Sequence, residues 1–182
     1  MTDALNRLRG NPAISVSVVN SPALGGGMEL ITATDYRVMR GLDEKLEMPL
    51  PFIQSVHARI GASPGWGGAA RLVSIIGRQK ALHVLGSSKK IHPSHALSIG
   101  LVDSLYEVQD NENSTEVGYQ FLQPFLSQKY PDSVRAMKTI VQNIDLHGSS
   151  SNGKGVETEM SVFKQRWFGK DNRHALNLAD NS

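Results

Sequence analysis

The run Ala23-Leu24-Gly25-Gly26-Gly27-Met28-Glu29-Leu30 sets three consecutive glycines just ahead of a carboxylate. Glycines let the backbone take positive φ and let a ligand approach without meeting a Cβ. The first N–H groups of a helix have no intrahelical acceptor and point at whatever occupies that space. A strand-to-helix turn of this kind stabilises negative charge on an oxygen, and Glu29 adds an acid or base beside it. Two plainer explanations stand next to this one: a glycine turn needed only for tight helix–strand packing, and a Glu29 that complements a helix dipole. The other glycine-rich chemistries are absent, since no Gly-Lys-Ser/Thr follows and no third glycine stands at dinucleotide spacing.

The elements that position this turn are legible in the apolar pattern. A short amphipathic helix is predicted over Asp3 to Arg9, and Ile14, Val16 and Val18 alternate with Ser15 and Ser17 in a strand from Ala13 to Val19. Leu30, Ile31 and Ala33 give Met28 to Thr34 helical spacing, and a second strand is predicted near Tyr36 to Met39. Beyond residue 66 the chain reads as mostly helical. Gly67 to Ile76 is stopped by Gly77, Gln79 to Leu85 by Gly86, and Ser94 to Ile99 by Gly100, each glycine at a C-terminal cap. His92 and Pro93 read as the opening of the third of these helices. A returning strand is predicted over Leu101 to Val108. A helix from Thr115 to Lys129, interrupted by Pro124, precedes another from Pro131 towards Leu146. Ser149 to Gly155 reads as a flexible loop. In the last helix Val156, Met160, Phe163 and Trp167 form one apolar stripe, for packing or subunit contact.

Two more segments complete an ordered set: Gly61-Ala62-Ser63-Pro64-Gly65-Trp66-Gly67-Gly68-Ala69-Ala70-Arg71-Leu72, and Ile91 to Asp103 with Ala96, Gly100, Leu101 and Val102. In this order the segments resemble the crotonase (enoyl-CoA hydratase/isomerase) superfamily, with Ala-Leu-Gly-Gly-Gly-x-Glu-Leu, then Pro-x-x-Gly-Gly-x-x-Arg-Leu, then Ala-x-x-x-Gly-Leu-Val. In the hydratases of that family a second glutamate lies four residues before the glycine that opens the middle segment; here His57 stands there. Val56 to Gly61, Trp66, and Leu72 to Gly77 are instead similar to the ethylmalonyl-CoA decarboxylase branch, which removes carboxyl groups from alkylmalonyl thioesters.

The resemblance implies an α/β fold, a crotonase-like spiral of β-β-α units followed by a helical C-terminal region. It implies a partial core over residues 1–108 and an oligomerisation region over 109–182, assembled as a homotrimer or hexamer. It further implies an acyl-CoA substrate that carries its own coenzyme A, with no separate cofactor. Gly26 N–H would stabilise an enolate. His57 would return a proton to the α-carbon or orient the departing carboxylate, and Glu29 would orient His57 or the substrate carboxyl, or hold a water. Ala23, Leu24, Gly25, Pro64, Gly65 and Trp66 would bind the substrate, with Trp66 walling the acyl pocket. Relative to the family the sequence reads as truncated at its N-terminus, where the other oxyanion donor would lie, and Arg40 to Pro51 reads as an insertion looping over the site. The implied activity is decarboxylation of ethylmalonyl-CoA or methylmalonyl-CoA; the alternatives are a catalytically silent family protein and an enoyl-CoA hydratase/isomerase.

Composition narrows the classes without choosing one. The 182 residues suffice for one sizeable core. With 40% hydrophobic residues, a net charge of +2 and a mean hydropathy of -0.26, no run reaches membrane-spanning length. No secretory signal or transit peptide is evident, so a cytoplasmic location is expected, with a mitochondrial one as the alternative. There is no cysteine, and no histidine–acid spacing suggests a metal site. The lysines at 89, 90, 164 and 170 could meet CoA phosphates, but no aromatic–basic platform points to nucleic acid.

Overall fold

A computed structural model describes residues 1–41, 49–107, 113–147 and 153–176. It divides into two compact units, one of Met1–Asn11 with Ser15–Leu122 and one of Pro12–Ile14 with Gln123–Ser182. The division therefore falls at 122/123 and not at 108/109. The reason lies in the helix α6, Ser114–Leu126. Its first turns lay Gly118 against Val16 and Val18 and tilt Phe121 onto Tyr36 at 5.3 Å, so they belong with the sheet.

The first unit opens with α1, Thr2–Gly10, and holds two small parallel sheets. Strands β1 (Val16–Val19), β3 (Tyr36–Arg40) and β5 (Ser104–Tyr106) form one, with β3 central and Val18 facing Val38, which faces Ser104. Strands β2 (Ala23–Leu24) and β4 (Ile53–Gln54) form the other, with Ala23 opposite Ile53. Parallel strands need crossovers that cover a sheet face. Here α2 (Gly26–Ile31), α3 (Gly68–Ile76), α4 (Arg78–Ser87) and α5 (Pro93–Ser98) lie along the intervening chain. Their apolar faces meet in one core that includes Met28, Ile31, Met39, Ile53, Leu72 and Leu101.

Several predicted boundaries move, two of them for a long-range reason. The first strand begins at Val16 rather than Ala13, because Lys138 donates to the Ala13 carbonyl at 2.6 Å and takes that segment into the second unit. Helix α4 runs through Gly86 to Ser87 and is capped by Ser88 at φ 50°. The buried Gln54 amide holds the Ser88 carbonyl at 2.7 Å, so the cap is set by β4 and not by the glycine. The strand expected to extend to Val108 is Ser104–Tyr106. Residues 42–48 of the expected insertion and 149–152 of the expected loop lie outside the described residues, and Lys154 and Gly155 of that loop open a helix.

In the second unit α7 (Pro131–His147) packs along α8 (Lys154–Arg166), followed by α9 (Lys170–Ala175). Helix α6 continues through Pro124, which was expected to break it. The predicted apolar stripe holds only to Phe163. Helix α8 ends at Arg166, and Trp167 is extended at its C-cap. Phe168 then turns to φ 62° and donates its N–H to Asn172 at 3.0 Å, reversing the chain into α9. Trp167 stacks on Phe163 at 5.3 Å.

Candidate active site

All the residues singled out by the motifs fall in the first unit. Strand β2 delivers the chain to Gly25, which takes φ 48° and ψ −109° as the N-cap of α2, a conformation that disfavours any side chain. Gly25 N–H is held by the Gln54 carbonyl at 3.0 Å. Gly26 opens the helix, and its N–H meets no backbone acceptor among the described residues. Helix start and sheet pairing thus leave one amide of the turn without a backbone partner among the described residues.

The indole of Trp66 covers this turn. A Cβ built on Gly26 would lie 2.4 Å from Trp66 Cζ3 and 2.6 Å from Cη2, so only glycine permits the ring its place. Trp66 itself is 36% exposed and forms an outer wall of the turn.

Glu29 is one residue along α2 from Met28 of the core, and only 2% exposed. Its Oε1 accepts from Trp66 N–H at 3.0 Å and Gly68 N–H at 3.1 Å, and its Oε2 lies 3.2 Å from the same Trp66 nitrogen. A buried carboxylate requires such donors. Of the roles implied for Glu29, a direct bond to His57 is not made among the described residues; Glu29 clamps the Trp66–Gly68 turn to α2. The two glycines of the middle motif explain themselves here. Gly67 takes φ 80° as the N-cap of α3, and a Cβ on Gly68 would stand 2.4 Å from Glu29 Cγ.

Arg71 closes the clamp from the first turn of α3. It is 3% exposed, and one of its terminal nitrogens donates to the Glu29 carbonyl at 3.0 Å and the Trp66 carbonyl at 2.9 Å. Its Nε reaches Thr32 Oγ1 at 3.1 Å, and that hydroxyl donates to the Glu29 carbonyl at 2.7 Å. Burial, with Arg9 nearby, draws the guanidinium below the usual arginine range, while Glu29 opposes this. The sequence signal for Arg71 is its place in Pro-x-x-Gly-Gly-x-x-Arg-Leu: a charge one residue from the wholly buried Leu72, on a helix without a charged partner of its own.

His57 begins a 3-10 turn, His57–Ile60, immediately after β4. It is half-buried, and its Nε2 would lie 4.0 Å from a Cβ built on Gly25. Its Nδ1 lies 3.2 Å from Ser55 Oγ. Ser55 is fully buried and was not singled out by the motifs. No residue pattern signals it: Ser55 stands two before His57, across a Val56 in helical conformation at φ −88° and ψ −7°. Of the residues expected to bind substrate, Ala23 faces the core while Leu24 is exposed. Gly65 accepts from Thr2 Oγ1 at 3.2 Å, and Pro64 is half-buried beside it.

The structure therefore brings Gly25, Gly26, Glu29 and Trp66 together, with His57 Nε2 near Gly25. Cavities also lie away from this turn. One of about 330 Å³ between α4 and α5 includes Lys80, Lys89 and Lys90, and one of about 390 Å³ in the second unit includes Met137 and Trp167. Among the described residues no cluster of three or more metal-ligating side chains occurs, and no helix is long and apolar enough to cross a membrane.

Comparison with known proteins places this arrangement in a lineage. The ethylmalonyl-CoA decarboxylase of Danio rerio is 37% identical over 97% of this chain and 55% of its own length. That of Homo sapiens is 39% identical over 97% of the chain and 53% of its own. The chain thus spans about half the length of the curated relatives it matches. Among solved structures, an enoyl-CoA hydratase from Bacillus anthracis superposes with a TM-score of 0.81 at 22% identity, covering 97% of this chain and 62% of that one. DspI of Pseudomonas aeruginosa gives 0.80 at 21%, with 97% and 62% covered. Those likenesses establish the crotonase fold, α/β with a helical C-terminal region. The sequence profile of the enoyl-CoA hydratase/isomerase family extends over residues 1–174, and the chain belongs to that family.

Proposed function

We propose that the protein processes acyl-CoA thioesters, and that its reaction is decarboxylation of an alkylmalonyl-CoA such as ethylmalonyl-CoA or methylmalonyl-CoA. The observation that carries this reading is His57 Nε2 lying 4.0 Å from where a Gly25 Cβ would stand, one residue from a Gly26 N–H with no backbone acceptor among the described residues, in a family whose hydratases need a glutamate at the histidine's position. Relatives named ethylmalonyl-CoA decarboxylase, at 35–39% identity, support the same choice.

The chemistry asks little more of the site. The bond between the α-carbon and the carboxylate breaks, carbon dioxide leaves, and the electron pair passes into the thioester as an enolate. Gly26 N–H faces the oxygen on which that charge grows, and a fixed donor there stabilises the transition state. The α-carbon then takes up one proton, giving the saturated acyl-CoA. His57 serves either to supply that proton or to hold the carboxylate in place before it leaves. Trp66 limits the space beside the thioester, and Glu29 fixes Trp66.

Purified protein incubated with each thioester is expected to release carbon dioxide and yield butyryl-CoA or propionyl-CoA. His57→Ala is expected to lower kcat about 10²-fold or more. A folded wild-type protein that leaves both thioesters intact overturns the proposal.

A further inference from the structure

Ser55 and His57 make a pair whose chemistry chooses between the two roles open to the histidine. Ser55 Oγ is fully buried, and among the described residues its one side-chain hydrogen bond is to His57 Nδ1, at 3.2 Å. A hydroxyl has one hydrogen to donate. If Nδ1 carries no proton, the serine donates to it and both groups are satisfied. If Nδ1 carries a proton, it donates to Oγ, and the serine's own hydrogen is left in the interior without an acceptor. Leaving a buried donor unmade is the unfavourable side of a hydrogen bond.

From this asymmetry we infer that Ser55 is a positioning residue that holds His57 as the neutral tautomer with its proton on Nε2, and so makes the histidine a hydrogen-bond donor to the acyl carboxylate rather than the acid that reprotonates the α-carbon. Nε2 is the nitrogen on the side of the glycine turn, 4.0 Å from where a Gly25 Cβ would stand. A neutral imidazole that gave up that proton would become an imidazolate, which is out of reach near neutral pH. His57 therefore keeps its proton through the reaction. The step balances with water as proton source: the α-carbon of the enolate takes a proton from water, and the hydroxide left is neutralised by solvent. The inference rests on the proposed decarboxylase reading for its substrate, and on the Ser55–His57 contact for its tautomer.

Two measurements on the full chain test it separately. With nitrogen-15-labelled histidine, the His57 ring of the wild-type protein is expected to show a protonated Nε2 and an unprotonated Nδ1. Ser55→Ala should let the second tautomer appear, and Ser55→Thr, which restores the hydroxyl, should suppress it. A protonated Nδ1 in the wild-type protein overturns the assignment, and that reading stands even if the serine variants fold poorly. In the decarboxylation assay, His57→Gln keeps an N–H donor with no transferable proton. It is expected to retain about a tenth of kcat, against a loss of about 10²-fold or more for His57→Ala. Ser55→Ala should lower kcat about tenfold, with Ser55→Thr recovering most of it. If His57→Gln is as inactive as His57→Ala, the histidine is an acid and the inference is wrong. If the wild-type protein turns over neither thioester, the decarboxylase reading falls, and the tautomer alone decides the role of Ser55.

Discussion

Exchanging Gly26 for alanine sets a methyl group where Trp66 already stands, 2.4 Å from its ring. The helix backbone accepts alanine readily, so the conflict is local to the indole. Gly26→Ala is therefore expected to leave the protein folded, to shift the emission of Trp66 as the ring swings outward, and to lower kcat more than tenfold by disturbing the proposed oxyanion contact. Unchanged emission would show that the ring and the glycine do not share this space. Glu29 behaves differently because it is almost wholly buried. Its carboxylate satisfies the Trp66 and Gly68 N–H groups, so Glu29→Ala orphans two donors and is expected to cost about 2–4 kcal/mol by denaturant unfolding. The motif made Gly26, Glu29 and Trp66 conspicuous, and the resemblance put His57 beside them. What residue types alone did not disclose is that Glu29 bonds to a backbone turn; its three acceptor contacts come from residues 37 and 39 positions later, and no local pattern encodes that pairing.

At the scale of elements, the site is a junction of α2, α3 and the turn between β4 and α3, held by Arg71. Its guanidinium binds two carbonyls and the Thr32 hydroxyl. Arg71→Met, which keeps the aliphatic stem, is expected to destabilise the protein by about 2–4 kcal/mol and to lower turnover with it, because Trp66 loses one of its anchors. A variant as stable as wild type in urea would show the clamp to be dispensable. Helices with a strong apolar period were legible in advance: α3 ends at Gly77 and α5 begins at Pro93 as the caps foretold. Strand β2 was not, because two residues offer no alternation to count, and it exists only by pairing with β4. The end of α4 was misplaced for a related reason. Gly86 looks like a cap locally, but the Gln54 amide at the Ser88 carbonyl carries the helix past it. Trp167 left the helical stripe because Phe168 and Asn172 start the next helix, a signal that lies downstream of the stripe itself.

For the molecule as a whole, a ligand that binds only the folded state stabilises it by mass action, by about 2.7 kcal/mol at a hundredfold excess over Kd. For a chain of this size that corresponds to about 5–10 °C in the unfolding midpoint. Ethylmalonyl-CoA at saturating concentration is expected to raise the midpoint by that amount in the wild-type protein, and by clearly less in Gly26→Ala. An equal rise in both would place thioester binding away from the glycine turn. The buried core around Met28, Leu72 and Leu101 lies directly beneath that turn, with Met28 between Gly26 and Glu29, so core packing and site geometry share one short helix. The contact between Gly68 and Glu29 also fixes the order in which this sequence could drift. A smaller residue at position 29 first opens room that a later side chain at 68 could fill, whereas any side chain at 68 first meets Glu29 Cγ at 2.4 Å. Of the two mutational routes to the same double variant, only the one through position 29 avoids that clash, and a library randomised at both positions should recover changes at 68 mostly in combination with changes at 29.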